Sequence, residues 1–359
     1  MCLAVFLSSC NKNIQLQEAT QPPPVDSFSV SGLDVGQQSN SFAFINDSTL
    51  CSYDLTNMAL VFFHKDRSGH YQAGIKKEID TEFWSMHFRG DDDKHYFADR
   101  DNAVVVYNAT ADSLLKRYTI PHRFRSLKDS FALSCANNSP VLVLHDTLIS
   151  VISPNSNESE RLYYNEQEIA EFRIDPATDT LHYLRSYINK PSNLSDFDFP
   201  LGSYCFHHNT VFLIYPQSDT IYSFNRSTNT LLKTAIHNQD FVSPAAFTCI
   251  PFTPEYGSCA TKYYLHNFRY YGIHYNPLSK HFLLFYNSPV KEVKGRIPTA
   301  KDQPLQVMVL DEQLRPVGYH RFSKNLEAGT SFFMIPGKGL AMPLLDEHYE
   351  TTRFYIYNL

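Results

Sequence analysis

No stretch beyond residue 10 comes near the ~20 consecutive apolar residues that a membrane-spanning helix needs. No basic stripe interrupts the scatter of Lys and Arg, and the net charge is −6, which argues against nucleic acid as a partner. The GxSxG, HExxH, P-loop and GxGxxG motifs are all missing. No catalytic residue and no cofactor is therefore assigned. Gly337-Lys338-Gly339 reads as a tight turn, because no helix-like segment follows to offer a phosphate its N-terminus. There is no CxxC pair, and no Cys/His set has zinc-site spacing. Tryptophan occurs once in 359 residues.

What is present is aromatic and strand-forming. Apolar residues make up 43% and charged residues 19%, so a large core can form and wholesale disorder is excluded. Tyr (23) and Phe (27), with many Asn, Ser and Thr, favour strands and turns over helices. Helix is expected in only two places, Ile75 to Met86 and Asn165 to Phe172.

Strand, polar turn and strand recur along the chain. YFAD-RDN-AVVVYN-ATAD-SLLKRYTI begins near residue 96, and VFLIY-PQSD-TIYSFN-RSTN-TLLKTAI begins near residue 211. An Asn or Asp, four mostly polar residues and an apolar strand return at Asp54, Asn108, Asp175, Asn225, Asn276 and Asp311. The intervals are 54, 67, 50, 51 and 35 residues, and the short last one marks two hairpins of one sheet. Periods near 40–50 residues built from about four strands point to an all-β propeller over a β-sandwich. Six blades are favoured, with seven as the alternative. The chain ends in TRFYIYNL, and pairing it with a strand from residues 27 to 47 would close the ring and hide two sheet edges.

The N-terminus carries an apolar block, Leu3 to Leu7, then Leu7-Ser8-Ser9-Cys10. That tetrad resembles the lipobox of bacterial lipoproteins. The resemblance implies cleavage after residue 9, acylation of Cys10, and a membrane anchor of several acyl chains, each buried methylene contributing ~0.8 kcal/mol. The block is short and no Lys or Arg precedes it, as a start placed downstream of the true one would leave it. Residues 10–26 then read as a polar tether stiffened by Pro22-Pro23-Pro24, and residues 27–359 as one propeller domain. Five cysteines remain beyond Cys10, an odd number. Cys249 and Cys259 flank IPFTPEYGS; a disulfide between them and two buried thiols are both open at this stage.

YPQSDTIYSFNRSTNTLLK (215–233), RYYGIHYNPLSKHFLLFYNSP (269–289) and VMVLDEQLRPVGYHRF (307–322), taken with Leu7 to Cys10, resemble the uncharacterised Bacteroidetes lipoproteins with a β-propeller domain of unknown function. The resemblance implies a six-bladed TolB-like ring and no established activity. Surface-exported lipoproteins of that phylum often carry acidic residues after the lipidated cysteine. Asn11-Lys12-Asn13 stands here instead, which favours an outer-membrane anchor facing the periplasm.

Three clusters carry side chains of site-forming type. Gly90-Asp91-Asp92-Asp93-Lys94 lacks the alternating ligands of a calcium loop and reads as a solvated turn. His207 and His208 are neighbours at a hairpin end, where strand alternation would point them apart, so no metal is expected there. Tyr263, Tyr264, Arg269, Tyr270 and Tyr271, in an irregular region from 237 to 272, form either a binding loop or a wedge of core aromatics between blades. Function follows from the fold and the empty motif search: a non-catalytic binding module for a peptide, glycan or protein partner in the cell envelope. The alternative is a propeller hydrolase or lactonase with its site in the central channel.

Overall fold

The computed structural model describes residues 22–31, 42–54, 57–80, 86–90, 92–98, 103–119, 131–134, 141–154, 167–191, 202–249, 253–290, 298–299, 302–322, 333–335, 337–344 and 351–359. Cys10, the tetrad before it and most of the tether lie outside these residues. Among them are 25 strands and one helix.

The strands fall into six blades. β1 (Asp26–Ser31) stands apart from its chain neighbours. Blade 1 is β2 (Phe42–Asn46), β3 (Thr49–Asp54), β4 (Ala59–Lys65) and β5 (Tyr71–Glu78). Blade 2 is β6 (Met86–Arg89), β7 (His95–Ala98), β8 (Ala103–Tyr107) and β9 (Leu114–Thr119). In blade 3, β10 (Phe131–Ser134) and β11 (Leu142–Leu144) share one edge of β12 (Thr147–Pro154), followed by β13 (Gln167–Asp175) and β14 (Thr180–Asn189). Blade 4 is β15 (Ser203–His207), β16 (Thr210–Ile214), β17 (Thr220–Asn225) and β18 (Thr230–Ala235). The helix α1 (Tyr256–His266) leads into blade 5, which is β19 (Arg269–Asn276), β20 (His281–Asn287), β21 (Leu305–Leu310) and β22 (Pro316–Arg321). Blade 6 is β23 (Phe333–Ile335), β24 (Gly339–Leu344) and β25 (Thr351–Tyr357), completed by β1.

The two chain ends thus meet in one sheet. β1 runs antiparallel to β25, with Ser27 opposite Tyr355, Phe28 opposite Phe354 and Ser29 opposite Arg353. This is the closure expected from the last strand of the sequence.

Six apolar clusters, one per seam, complete the circle. Tyr53 and Leu60 meet Phe97 and Val105 between blades 1 and 2. Val104 and Val106 meet Leu148 and Phe172 between blades 2 and 3. Ile149 and Ile169 meet Leu213 and Tyr215 at the next seam. Ile214 and Ile221 meet Ile273 and Phe282 between blades 4 and 5. Leu283 and Val307 meet Leu340 and Tyr357 between blades 5 and 6. Val30 and Phe354 meet Leu50 and Phe63 at the closing seam. A middle strand faces a neighbouring blade on both sides, so it cannot alternate apolar with polar. β20 shows this: Phe282 and Leu284 enter one seam, Leu283 and Phe285 the other.

All six repeated turns are held in the same way. The side-chain oxygen of the leading residue accepts a backbone N–H two or three positions on: Asn57 to Asp54 (3.0 Å), Ala177 to Asp175 (2.9 Å), Ser227 to Asn225 (3.0 Å), Leu278 to Asn276 (3.0 Å) and Gln313 to Asp311 (2.9 Å). At Asn108 the donor is Asp112, four positions on (2.9 Å). Asn276 and Asp311 both belong to blade 5, as their short interval implied.

Both expected helices are corrected. Ile75 to Glu78 belongs to β5, and Gln167 to Phe172 belongs to β13; residues 81–85 and 165–166 lie outside the described residues. β5 is an outer strand with most side chains in solvent, so its Lys and Glu content mimics a helix. In β13 the two glutamates are buried and paired with cations, and tertiary contacts override their helical preference.

The helix that does form, α1, has no side-chain N-cap and was invisible to the pattern. Long-range ties hold it. A Cys249–Cys259 disulfide staples it to the preceding segment. Gln303 Nε2 donates to the Tyr264 carbonyl (3.2 Å), and the Val290 N–H donates to the Leu265 carbonyl (2.7 Å). No helix among the described residues is long and apolar enough to cross a membrane.

Candidate ligand pocket at the closing seam

The closing seam carries a cavity of about 370 Å³. Its floor is aromatic. Phe28 from β1, Phe44 from β2 and Tyr71 from β5 meet edge to face, with ring centroids 5.5–5.8 Å apart. Tyr71 is fixed by its hydroxyl, which donates to the Asp47 carbonyl (3.0 Å).

The rim is polar and cationic. Lys65 at the end of β4 stands 5.7 Å from the centre of the Tyr71 ring. Arg353 comes from β25, and Lys338 from the turn between β23 and β24. Gly339 makes that turn possible: its φ is +117°, and a Cβ there would lie 2.3 Å from the Tyr357 carbonyl oxygen. Ser68 and His70 are presented by the β4–β5 turn, where Asp66 accepts the N–H groups of Ser68 (2.8 Å) and His70 (3.0 Å). Those bonds, with one from the Ser68 hydroxyl, hold the Asp66 carboxyl below its ordinary range. His70 Nδ1 in turn meets the buried hydroxyl of Ser29.

Three permanent cations therefore surround the mouth against one lining carboxylate, Asp26. No ion pair among the described residues engages Lys65, Lys338 or Arg353. The other carboxylates near basic groups are already committed. Glu171 is gripped by Arg185 (3.1 Å) and Arg226, with Tyr187 donating to it (3.0 Å). Burial alone would raise the Glu171 carboxyl; the two guanidiniums outweigh it and lower it. Glu168 and Lys190 form a fully buried pair at 3.5 Å.

The residues singled out from the sequence lie elsewhere. Tyr263 and Tyr264 are on α1 and Arg269, Tyr270 and Tyr271 on β19, so the segment is a helix and a strand where irregular chain was expected. The fold brings three of the five together: the Arg269 guanidinium lies 4.8 Å from the Tyr264 ring centre and 4.2 Å from that of Tyr271, and donates to the Tyr271 hydroxyl. Tyr263 joins their edge, its ring meeting that of Tyr264 edge to face (5.7 Å) while its hydroxyl donates to the Ala245 carbonyl (2.8 Å). Tyr270 is 1% exposed and packs between blades 4 and 5. The described part of the acidic cluster is a turn in which Asp92 pairs with Lys94 (2.6 Å) and accepts the Tyr96 hydroxyl (3.0 Å). His207 ends β15, whereas His208 sits in the following turn with φ +44°, so strand alternation does not separate the two rings.

Sequence reasoning missed the pocket because its residues come from five segments, 26–29, 44, 65–71, 335–338 and 353–356. The one available signal was the predicted pairing of the chain ends, which brings the first and last of these together.

No family model matches this chain, and no curated protein matches it. Among solved structures it is similar to a crystal structure of a member of the DUF4221 family from Bacteroides vulgatus, with a TM-score of 0.69 and 13% identity over 94% of this chain and 97% of that one. A structure of the mitotic checkpoint complex aligns with a TM-score of 0.45 and 10% identity over 94% of this chain and 95% of that one, too weak to carry an argument. At such identity the likeness to the Bacteroides protein is one of fold alone.

Proposed function

We propose that this chain is a Bacteroidetes envelope lipoprotein of the six-bladed TolB-like type, anchored through Cys10, whose propeller binds an acidic saccharide without transforming it. The observation that carries the reading is the closing-seam pocket, an aromatic floor under a cationic, hydroxyl-bearing rim. Rings offer flat apolar area to a sugar face, and Lys65, Lys338 and Arg353 offer charge to its carboxylate or sulfate.

Isothermal titration of the full mature chain with uronate- or sulfate-bearing oligosaccharides, against their neutral counterparts, tests the reading. Binding is expected for the acidic set alone, weakening as salt rises. The triple variant Lys65→Ala/Lys338→Ala/Arg353→Ala is expected to bind at least ~10-fold more weakly, since charge-assisted hydrogen bonds contribute about 1.5–3 kcal/mol each. Equal affinity for neutral sugars, or a triple variant that binds like the parent, would sink it. The anchor has its own test. Radiolabelled fatty acid should mark the chain expressed in a bacterial host that processes lipoproteins and not its Cys10→Ser variant; equal labelling discards the anchor.

A further inference from the structure

We propose that the seam between blades 4 and 5 carries a divalent-metal site, of the kind that takes zinc, formed by His207, His208 and Glu312. It is separate from the closing-seam pocket and does not depend on it. One ligand atom from each of the three side chains falls within 4.8 Å of the others, and His207 Nε2 lies 3.6 Å from Glu312 Oε1. Donors on a tetrahedral zinc ion at 2.0–2.2 Å stand about 3.4 Å apart, so a contraction of up to about 1.4 Å assembles the set. The groups able to make that movement are the exposed ones. His208 is on the two-residue turn after β15, and Glu312, 44% exposed, is on the turn between β21 and β22.

The third group is fixed and waiting. The His207 side chain is only 14% exposed, and its Nε2 atom is buried with no hydrogen-bond partner. A buried acceptor or donor left unmatched is unfavourable, and a metal ion would satisfy it. Tyr275 stacks on the His207 ring with centroids 3.5 Å apart and also donates its hydroxyl to Glu312 Oε1 (3.2 Å). One residue therefore orients two of the three ligands, the arrangement that tunes metal sites from behind. Two imidazole nitrogens and one carboxylate oxygen suit zinc among the common divalent ions and leave a fourth position for water or a ligand atom. Backbone geometry at the hairpin brings the adjacent histidines together: His208 and Asn209 both have positive φ, 44° and 61°, so the chain reverses within two residues.

The experiment uses the full mature chain, stripped with chelator and titrated with Zn²⁺ in competition with a chromophoric chelator. One equivalent should bind, and Co²⁺ in its place should give the visible absorption of a four-coordinate ion. His208→Gln and Glu312→Gln each should weaken binding at least tenfold, and Tyr275→Phe by less. His208 and Glu312 are surface turn residues, so thermal unfolding of the metal-free variants should match the parent. Absence of saturable binding at one equivalent would overturn the proposal. So would unchanged binding in the double variant His208→Gln/Glu312→Gln, because the ion would then sit elsewhere on the chain.

Discussion

Replacing Lys190 with Met should destabilise the folded chain by about 3–5 kcal/mol at pH 8 and by much less at pH 5. Lys190 and Glu168 are both fully buried, and they lie 3.5 Å apart beside the connection from blade 3 to blade 4. Burial pushes the Glu168 carboxyl up to about 7, with Lys190 and the Gly202 N–H (3.0 Å) pulling the other way. The sign follows from the raised value. The unfolded chain gives up this proton near its ordinary value of 4.5, the folded chain only near 7. The contribution of Glu168 to stability is therefore complete below the unfolded value and declines as pH climbs through the folded one.

Without the ammonium group, the folded carboxyl moves further up, and at pH 8 it must either ionise unpaired or hold a proton against the solvent. At pH 5 it is neutral in both proteins, and methionine replaces most of the lost stem volume. Urea unfolding of parent and variant at the two pH values reads the difference. The double variant Glu168→Gln/Lys190→Met should recover most of the loss at pH 8. Equal losses at both pH values would mean that packing, not charge, holds this spot.

The same pair shows where the sequence was opaque. Glu168 and Glu171 sit in QEIAEF, whose composition suggests a helix with solvated acids. The cations that keep them buried, Lys190, Arg185 and Arg226, are supplied from other strands. Local preference had no access to those partners. α1 was hidden for the same reason, since its ties to Ala245, Val290 and Gln303 span 18 to 39 positions of chain.

The hairpins, by contrast, were legible because their determinants are local. An Asn or Asp that caps its own turn needs nothing beyond the next few residues. That signal gave the repeat, the repeat gave the propeller, and the unturned final strand gave the closure. The pocket was not legible, because a concave surface assembled from both ends of a chain has no local signature. It could only be found once Phe28 and Arg353 were known to share a sheet.

Ring closure is thus the premise on which both architecture and pocket stand, and one pair of substitutions tests it. Ser27 and Tyr355 are direct antiparallel partners at opposite ends of the chain. Cross-strand Cα atoms lie about 4.5–5.5 Å apart, inside the range a disulfide spans. The variant Ser27→Cys/Tyr355→Cys should oxidise within a single chain, and tryptic digestion without reductant should yield one peptide joining the two positions. Tying off a loop of roughly 330 residues should then raise the unfolding midpoint, with a stabilisation of up to about 5 kcal/mol that reductant removes. A folded protein in which both thiols react freely with an alkylating agent, or in which the link forms only between two chains, would contradict the closed ring.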